Sequence, residues 1–213
     1  MSKEKLNKLS YAIGVSLGQS MFGSGIEKTD LDYEDFLQGV KDVFDNNDPK
    51  VSPEEGNQIL KEYFDKVKAN AEEILKKERE ENLQAAEDFL KNNAAKDNVR
   101  VTNSGLQYKV LQEGTIMQWP STHSRVKVHY EGRLPDGTVF DSSYERDKPA
   151  EFNLNQVIPG WSEGLCLMKP GSKYVFYIPP KLGYGENGVP GHIPGNSVLI
   201  FVVELLEILP TVL

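Results

Sequence analysis

Apolar residues recur every three or four positions through the first part of the chain, which is the spacing of amphipathic α-helices. The first helix is predicted over residues 3–22, and Gly23–Gly25 end it. Its apolar stripe comprises Leu6, Leu9, Ile13 and Leu17. A second helix is predicted over residues 32–46, with Asp32 as its N-cap. The apolar face of this second helix comprises Phe36, Leu37, Val40, Val43 and Phe44.

A third and much longer helix begins at Ser52-Pro53-Glu54-Glu55, a capping signal with proline at the first helical position. No proline or strong turn signal follows until after Lys91, so the helix is predicted to continue to about residue 95. Residues 76–82 read KKEREEN and are charged on every side of the helix. Because a helix that is polar all round typically crosses solvent between packed bodies, residues 51–96 are predicted to be a connecting stalk.

The second half of the chain favours β-strands, because apolar and polar residues alternate. In the sequence RVKVHYEG, Tyr130 is predicted to point inward and His129 to point to solvent. Asp141 follows Phe140 at the end of a core-facing strand, and a carboxylate buried there needs donors. Strands are predicted at 106–111, 125–131, 138–141, 151–154, 173–178 and 198–208, with a short helix from Pro159 to about Met168.

Composition then narrows the possible functions. The 213 residues carry a net charge of −8 without a basic stripe, which argues against nucleic acid or an anionic membrane as partner. The single cysteine, Cys166, excludes an intramolecular disulfide and a cysteine-based zinc site. His123, His129 and His192 lack metal-ligand spacing and read as solvated groups, so we expect no metal and no cofactor. The chain begins without an apolar run long enough for a signal peptide or a membrane span, which predicts a cytoplasmic location.

Four motifs of the second half occur in a recognisable order: VHYEG, DGTVFDSS, VIPGW and GYGENGVPGHIPGNSVLIFVVELLEI. Over roughly residues 103–209 the chain resembles the catalytic domain of FKBP-type peptidyl-prolyl isomerases. The layout of its helices resembles the bacterial two-domain proteins of the macrophage-infectivity-potentiator type. The resemblance implies an α+β fold. An antiparallel sheet curled around a short helix would occupy residues 97–213, after a helical dimerisation segment at 1–50 and the long helix at 51–96.

The resemblance also implies an aromatic pocket that catalyses rotation about X-Pro bonds. Its catalytic positions map onto Tyr130, Phe140, Asp141, Ile158, Trp161, Tyr184 and Phe201. Its substrate-binding positions map onto Arg146, Phe152, Val157 and Ile193. In this mapping Trp161 lies under the proline ring, while the Ile158 N–H and the Tyr184 hydroxyl hold substrate carbonyls. Two places depart from the usual family pattern, Ala150 and the loop from Val189 to His192, and they affect the rim of the pocket.

Three functions compete at this point. The first is an isomerase that assists the folding of proline-containing client proteins as a homodimer through residues 1–50, and that binds macrolide inhibitors of the rapamycin type. The second is a holdase chaperone that depends little on its isomerase pocket. The third, a hydrolase built on Asp141 and a histidine, is disfavoured because His129 faces away from Tyr130 on the same strand.

Overall fold

A computed structural model describes residues 1–210, and its contacts divide the chain into two compact units. The first unit comprises Met1–Glu73 and the second begins at Ile74. This division falls inside the third helix. The three-part limits expected from the sequence, 1–50, 51–96 and 97–213, stay predictions. Among the described residues, no helix is both long enough and apolar enough to cross a membrane.

The first unit contains helices α1 (Lys3–Gly23) and α2 (Tyr33–Asp45) and the beginning of α3 (Pro53–Ala94). The predicted caps are present. The Asp32 carboxylate accepts the N–H groups of Glu34 and Asp35 at 2.9 and 3.0 Å, and the Ser52 hydroxyl accepts the Glu55 N–H at 3.1 Å. Each cap satisfies backbone donors that have no partner in the first helical turn, which fixes where its helix begins.

The apolar faces of α1 and α2 remain uncovered within a single chain. No residue of these two fully described helices is buried. Phe22 is 75% exposed and Phe44 is 85% exposed. A polar contact fixes the segment between the helices, since the Tyr63 hydroxyl of α3 lies 2.7 Å from Asp30 Oδ2 and 3.2 Å from the Gly25 carbonyl oxygen. The segment between the helices is therefore anchored to α3, while large apolar side chains of α1 and α2 stay exposed.

Over the described residues, the second unit contains an antiparallel sheet of seven strands, one short α-helix and the end of α3, as the α+β prediction requires. The bounds are β1 Val99–Val101, β2 Gln107–Gln112, β3 Arg125–Arg133, β4 Val139–Ser142, β5 Ala150–Asn153, α4 Pro159–Leu165, β6 Lys173–Ile178 and β7 Leu199–Leu209. The strands lie in the order β1-β2-β6-β7-β3-β4, and β5 pairs with β3. Strand β7 is flanked by β6 and β3, which explains its nearly continuous apolar sequence.

Helix α4 packs unusually close to strand β6. A Cβ atom placed on Gly160 would lie 2.6 Å from Ile178 Cγ2, and one placed on Gly164 would lie 2.7 Å from Phe176 Cε1. Both distances are shorter than van der Waals contact, so only glycine allows this approach. Trp161 lies between the two glycines along the helix and is 4% exposed.

The end of α3 belongs to the second unit. Asn93 is buried and donates to Gln107 Oε1 at 2.9 Å, and the Phe89 ring lies 6.2 Å from that of Tyr177. The prediction that residues 76–82 face solvent on every side is wrong, because Arg79 and Asn82 are partly buried against a loop. Apolar periodicity missed this contact because polar side chains make it.

Candidate active site

A cavity of about 470 Å³ opens where β3, β4, α4 and β7 approach one another. Its size falls in the usual range for small-molecule sites, about 300–1,000 Å³. The structure brings ten of the eleven residues predicted from the sequence into its lining. They are Tyr130, Phe140, Asp141, Phe152, Val157, Ile158, Trp161, Tyr184, Ile193 and Phe201. The eleventh, Arg146, does not line the cavity but contacts two residues that do.

Trp161 forms the centre of an aromatic cluster. Its ring centroid lies 5.0 Å from that of Tyr130, 5.3 Å from Phe152 and 5.2 Å from Phe201, with interplanar angles of 88°, 83° and 81°. Phe140 packs edge-to-face on Phe201 at 5.5 Å. These are favoured geometries, because the positive edge of one ring meets the negative face of the next. The rings therefore hold one another and form a preformed apolar floor and wall.

Asp141, Tyr130 and Arg146 form a hydrogen-bonded group beside these rings. The Tyr130 hydroxyl donates to Asp141 Oδ2. Arg146 donates to Asp141 Oδ1 at 2.6 Å and to the Tyr130 oxygen at 2.9 Å. The carboxylate is less buried than the sequence suggested, since 42% of the Asp141 side chain is exposed. Strand β4 ends the row of paired strands, so the carboxylate lies at the cavity mouth and not in the core.

The charges in this group follow from its contacts. Burial alone would raise the pKa of Asp141, but hydrogen bonds from Tyr130 and Arg146 hold that pKa below its usual value. Burial, and then the hydrogen bond to Asp141, raises the pKa of Tyr130 to about 12. Burial and the charge of Asp141 also raise the pKa of Tyr184. At neutral pH the site therefore holds one carboxylate, one guanidinium and two protonated phenols.

Gly132 of the VHYEG motif leaves space for two walls of the cavity. A Cβ atom at this position would lie 2.5 Å from Phe201 Cε1 and 2.7 Å from Phe140 Cε2. Gly132 is paired with Asp141 on one side and with Phe201 on the other. The glycine is thus a requirement of the cavity, because any side chain here would displace both rings.

Sequence reasoning missed one part of the lining. Gln156 lines the cavity but was not predicted, and its place directly before Val157 was the available signal. Val189 and His192 also line the cavity, as expected for the loop placed at its rim, and His192 is exposed. His129 is half-buried and not fully solvated, because its ring stacks on Tyr144 at 4.8 Å and its Nδ1 lies 3.0 Å from the Ser143 hydroxyl.

Comparison with known proteins assigns the chain to a family. Residues 118–206 match the model described as FKBP-type peptidyl-prolyl cis-trans isomerase, and residues 6–110 match the model of the domain amino-terminal to it. The FKBP-type 22 kDa peptidyl-prolyl cis-trans isomerase of Escherichia coli K12 is 43% identical over 202 residues, covering 94% of each chain. The chain belongs to the FKBP-type peptidyl-prolyl cis-trans isomerase family.

Two further relatives of this FKBP-type isomerase cover nearly the whole chain, and a third covers less of it. FkpA of Aeromonas hydrophila is 45% identical over 93% of this chain and 74% of its own length. The crystal structure of FkpA from Escherichia coli superposes with a TM-score of 0.77 at 38% identity, covering 99% of both chains. A solved isomerase from Pseudomonas syringae pv. tomato covers 62% of this chain and 96% of its own, with a TM-score of 0.58 and 35% identity. The protein is therefore an enzyme that acts on proline-containing polypeptides.

Proposed function

We propose that the aromatic cavity is the isomerase site and that it binds the twisted X-Pro amide better than the planar one. Rotation about a peptide bond faces a barrier of about 18–20 kcal/mol because amide resonance is lost. The twisted amide has less charge separation than the planar one. An apolar cavity therefore disfavours the planar ground state relative to the transition state, which is differential binding without a nucleophile or a metal.

Each side chain then has a distinct role. Trp161 supports the proline ring, since it is nearly buried and touches three other rings. Ile158 is the N-cap of α4, so its N–H has no acceptor within the helix and is suited to hold a substrate carbonyl. The protonated Tyr184 hydroxyl is suited to hold a second one. Asp141 orients Tyr130 and Arg146 at the mouth.

The observation that carries this assignment is the edge-to-face contact of three aromatic rings with Trp161 at the cavity floor. The test compares the Asp141→Ala, Trp161→Ala double variant with wild type in a tetrapeptide isomerisation assay, after circular dichroism has established folding. Trp119→Ala is the matched control, because Trp119 is 48% exposed and lies outside the cavity. We expect the double variant to lose most of its kcat/KM and the control to keep it. Wild-type efficiency in a folded double variant would refute the assignment.

We propose further that the first unit pairs with a second copy of itself. A groove of about 640 Å³ runs between α1 and α2, and its lining includes Ile13, Leu17, Phe36, Val40 and Phe44. Contiguous apolar surface of this kind typically marks an interaction site. In a two-fold dimer the same patch on both copies would be covered at once.

Sedimentation velocity tests this pairing. We expect a dimer at micromolar concentration. The Phe44→Asp variant should shift to monomer, because the Phe44 side chain is 85% exposed in the single chain and belongs to the apolar face. Lys8→Glu, an exposed change on α1 outside the groove, serves as the control. A wild-type monomer would contradict the proposal.

The paired protein is proposed to assist the folding of proline-containing clients and to bind macrolides of the rapamycin type in the aromatic cavity. Two tethered sites raise the effective concentration for a long client but not for a short peptide. The wild-type dimer should therefore speed the refolding of a proline-limited protein more than the Phe44→Asp monomer does. The two proteins should have equal activity on a tetrapeptide. Rapamycin should inhibit both reactions. An aggregation assay tests the holdase alternative, which predicts that the protein prevents aggregation of an unfolded client and that rapamycin does not abolish this effect.

A further inference from the structure

One side of the cavity is formed by a loop that packs on the core and that α3 contacts at its base. Residues 184–197, here called the rim loop, carry Tyr184, Val189, His192 and Ile193 into the lining. Inside the loop, Val189 and Ile193 exchange two backbone hydrogen bonds of 2.8 Å. Ile193 is only 6% exposed, so the loop closes tightly on the cavity. The loop is placed over the cavity both by the packing of Ile193 and Val189 on the core and by contacts at its base.

Helix α3 contacts that base directly. Arg79 Nη2 donates to Asn187 Oδ1 at 3.1 Å, and Asn82 Nδ2 donates to the Gly195 carbonyl oxygen at 3.0 Å. In the opposite direction, Asn196 Nδ2 donates to the Arg79 carbonyl oxygen at 2.9 Å. Within residues 71–85, Arg79 and Asn82 are the two least exposed residues. Two residues one helical turn apart thus hold both sides of the loop base.

These contacts are separate from those that attach the helix to the sheet. Attachment comes from residues further along α3, where Ala86 and Asn93 are buried and Phe89 meets Tyr177. Removing the side-chain contacts of Arg79 or Asn82 would therefore leave the helix in place and weaken its hold on the loop, while the Asn196 bond to the Arg79 carbonyl oxygen remains. Because the contacts to the loop and the contacts to the sheet come from different residues of α3, a role in positioning the loop can be tested apart from a role in stabilising the whole unit.

We propose that Arg79 and Asn82 are positioning residues for the isomerase reaction, because they hold the rim loop closed over the cavity. The inference rests on the assignment of the aromatic cavity as the isomerase site. If substrate binds only those molecules whose rim loop is closed, its apparent affinity falls in proportion to the fraction of molecules in the closed state. Losing one neutral hydrogen bond changes such an equilibrium by a factor of about two to ten.

The test uses the full chain and the variant Asn82→Asp, which replaces the N–H donor by an acceptor facing the Gly195 carbonyl. Gln84→Glu is the matched control, since it makes the same amide-to-carboxylate change at an exposed position of the same helix. We expect Asn82→Asp to raise KM about three- to tenfold with kcat nearly unchanged, because substrate binding closes the loop again. Amide exchange should quicken in residues 186–196 and stay slow in β6 and β7.

A second variant guards against misfolding of the first. Arg79→Met keeps the aliphatic stem but loses the donor to Asn187, and Arg79→Lys restores a donor. We expect Arg79→Met to behave like Asn82→Asp, with partial rescue in Arg79→Lys.

Three results would overturn the inference: wild-type KM in both folded variants, an equal change in Gln84→Glu, or exchange that quickens in the sheet as much as in the loop. Trp161→Ala in the same assay distinguishes failure of the positioning role from failure of the assignment of the aromatic cavity as the isomerase site. Wild-type kcat/KM in Trp161→Ala would refute the cavity itself. Loss there with wild-type KM in Asn82→Asp and Arg79→Met would refute the positioning role alone.

Discussion

Replacing Gly132 by alanine should damage the cavity without changing any residue that lines it. The new methyl carbon would lie 2.5 Å from Phe201 Cε1 and 2.7 Å from Phe140 Cε2, whereas carbon atoms normally pack at about 3.5–4.0 Å. Both rings must therefore move by about 1 Å. Phe201 already packs on Trp161 with centroids 5.2 Å apart, so its shift is passed on to the cavity floor.

Overpacking of this kind typically destabilises a protein by about 1–3 kcal/mol. We therefore expect Gly132→Ala to lower Tm by about 2–4 °C for each kcal/mol lost. A misplacement of about 1 Å can reduce catalytic efficiency about a hundredfold, so the loss of kcat/KM should exceed what unfolding explains. The assay is tetrapeptide isomerisation at a temperature well below the midpoint, where the variant is folded.

Gly39→Ala is the matched control. A Cβ at Gly39 meets no atom within 4 Å, and alanine favours a helix interior by about 0.5–1 kcal/mol. This control should keep full activity and lose no stability. If Gly132→Ala keeps both its Tm and its kcat/KM at the wild-type values, the two rings do not flank this position and the description of the cavity wall is wrong.

Three further predictions follow from other parts of the second unit. Because the pKa of Asp141 is lowered in the folded protein, its stabilisation is present above the usual carboxylate pKa of about 4 and is lost as the pH falls through the lowered folded pKa. Asp141→Asn should therefore weaken the dependence of the unfolding free energy on pH below about 4. Urea titrations at several pH values measure this dependence, and an unchanged slope below about pH 4 would contradict the prediction. Since the pKa of Tyr130 is raised to about 12, ultraviolet difference titration should find no ionisation of Tyr130 near pH 10, where a free phenol titrates; comparison with Tyr130→Phe isolates its signal. Finally, a chain that begins at residue 74 should keep tetrapeptide activity. A chain that begins at residue 97 lacks the α3 residues that contact the second unit, Arg79, Asn82, Ala86 and Asn93, and should be less active and less stable. Equal activity and equal Tm in the two chains would support the boundary at residue 97.

Local signals predicted the elements well where one residue decides the local geometry. Asp32 and Ser52 mark the beginnings of α2 and α3, because a side-chain acceptor at the N-cap satisfies specific backbone donors. Strand β1, Val99–Val101, was not predicted, because three residues show no measurable alternation and its existence depends on pairing with β2. The aromatic cavity could be anticipated because its residues belong to compact motifs with constrained spacing.

The remaining features depend on contacts that a one-dimensional pattern does not contain. Arg79 looked solvated because periodicity arguments count apolar residues, and its partner Asn187 lies 108 positions away. His129 was predicted on the correct side of β3, but the Tyr144 ring, from the segment after β4, stacks on it. Asp141 was expected to be buried because Phe140 precedes it, although its exposure is set by the strand's place at the end of the row.

The close approach of α4 to β6 has a consequence for how substrate range can change. Trp161 is carried on a helix that rests on Ile178 and Phe176 through Gly160 and Gly164. The depth of the cavity therefore depends on a buried layer, Ile178 and Phe176, that lies outside its lining. We expect a shorter side chain at position 178 to let the helix settle and the pocket deepen. The fit of the proline ring could in this way be tuned from beneath the floor, with every lining residue unchanged.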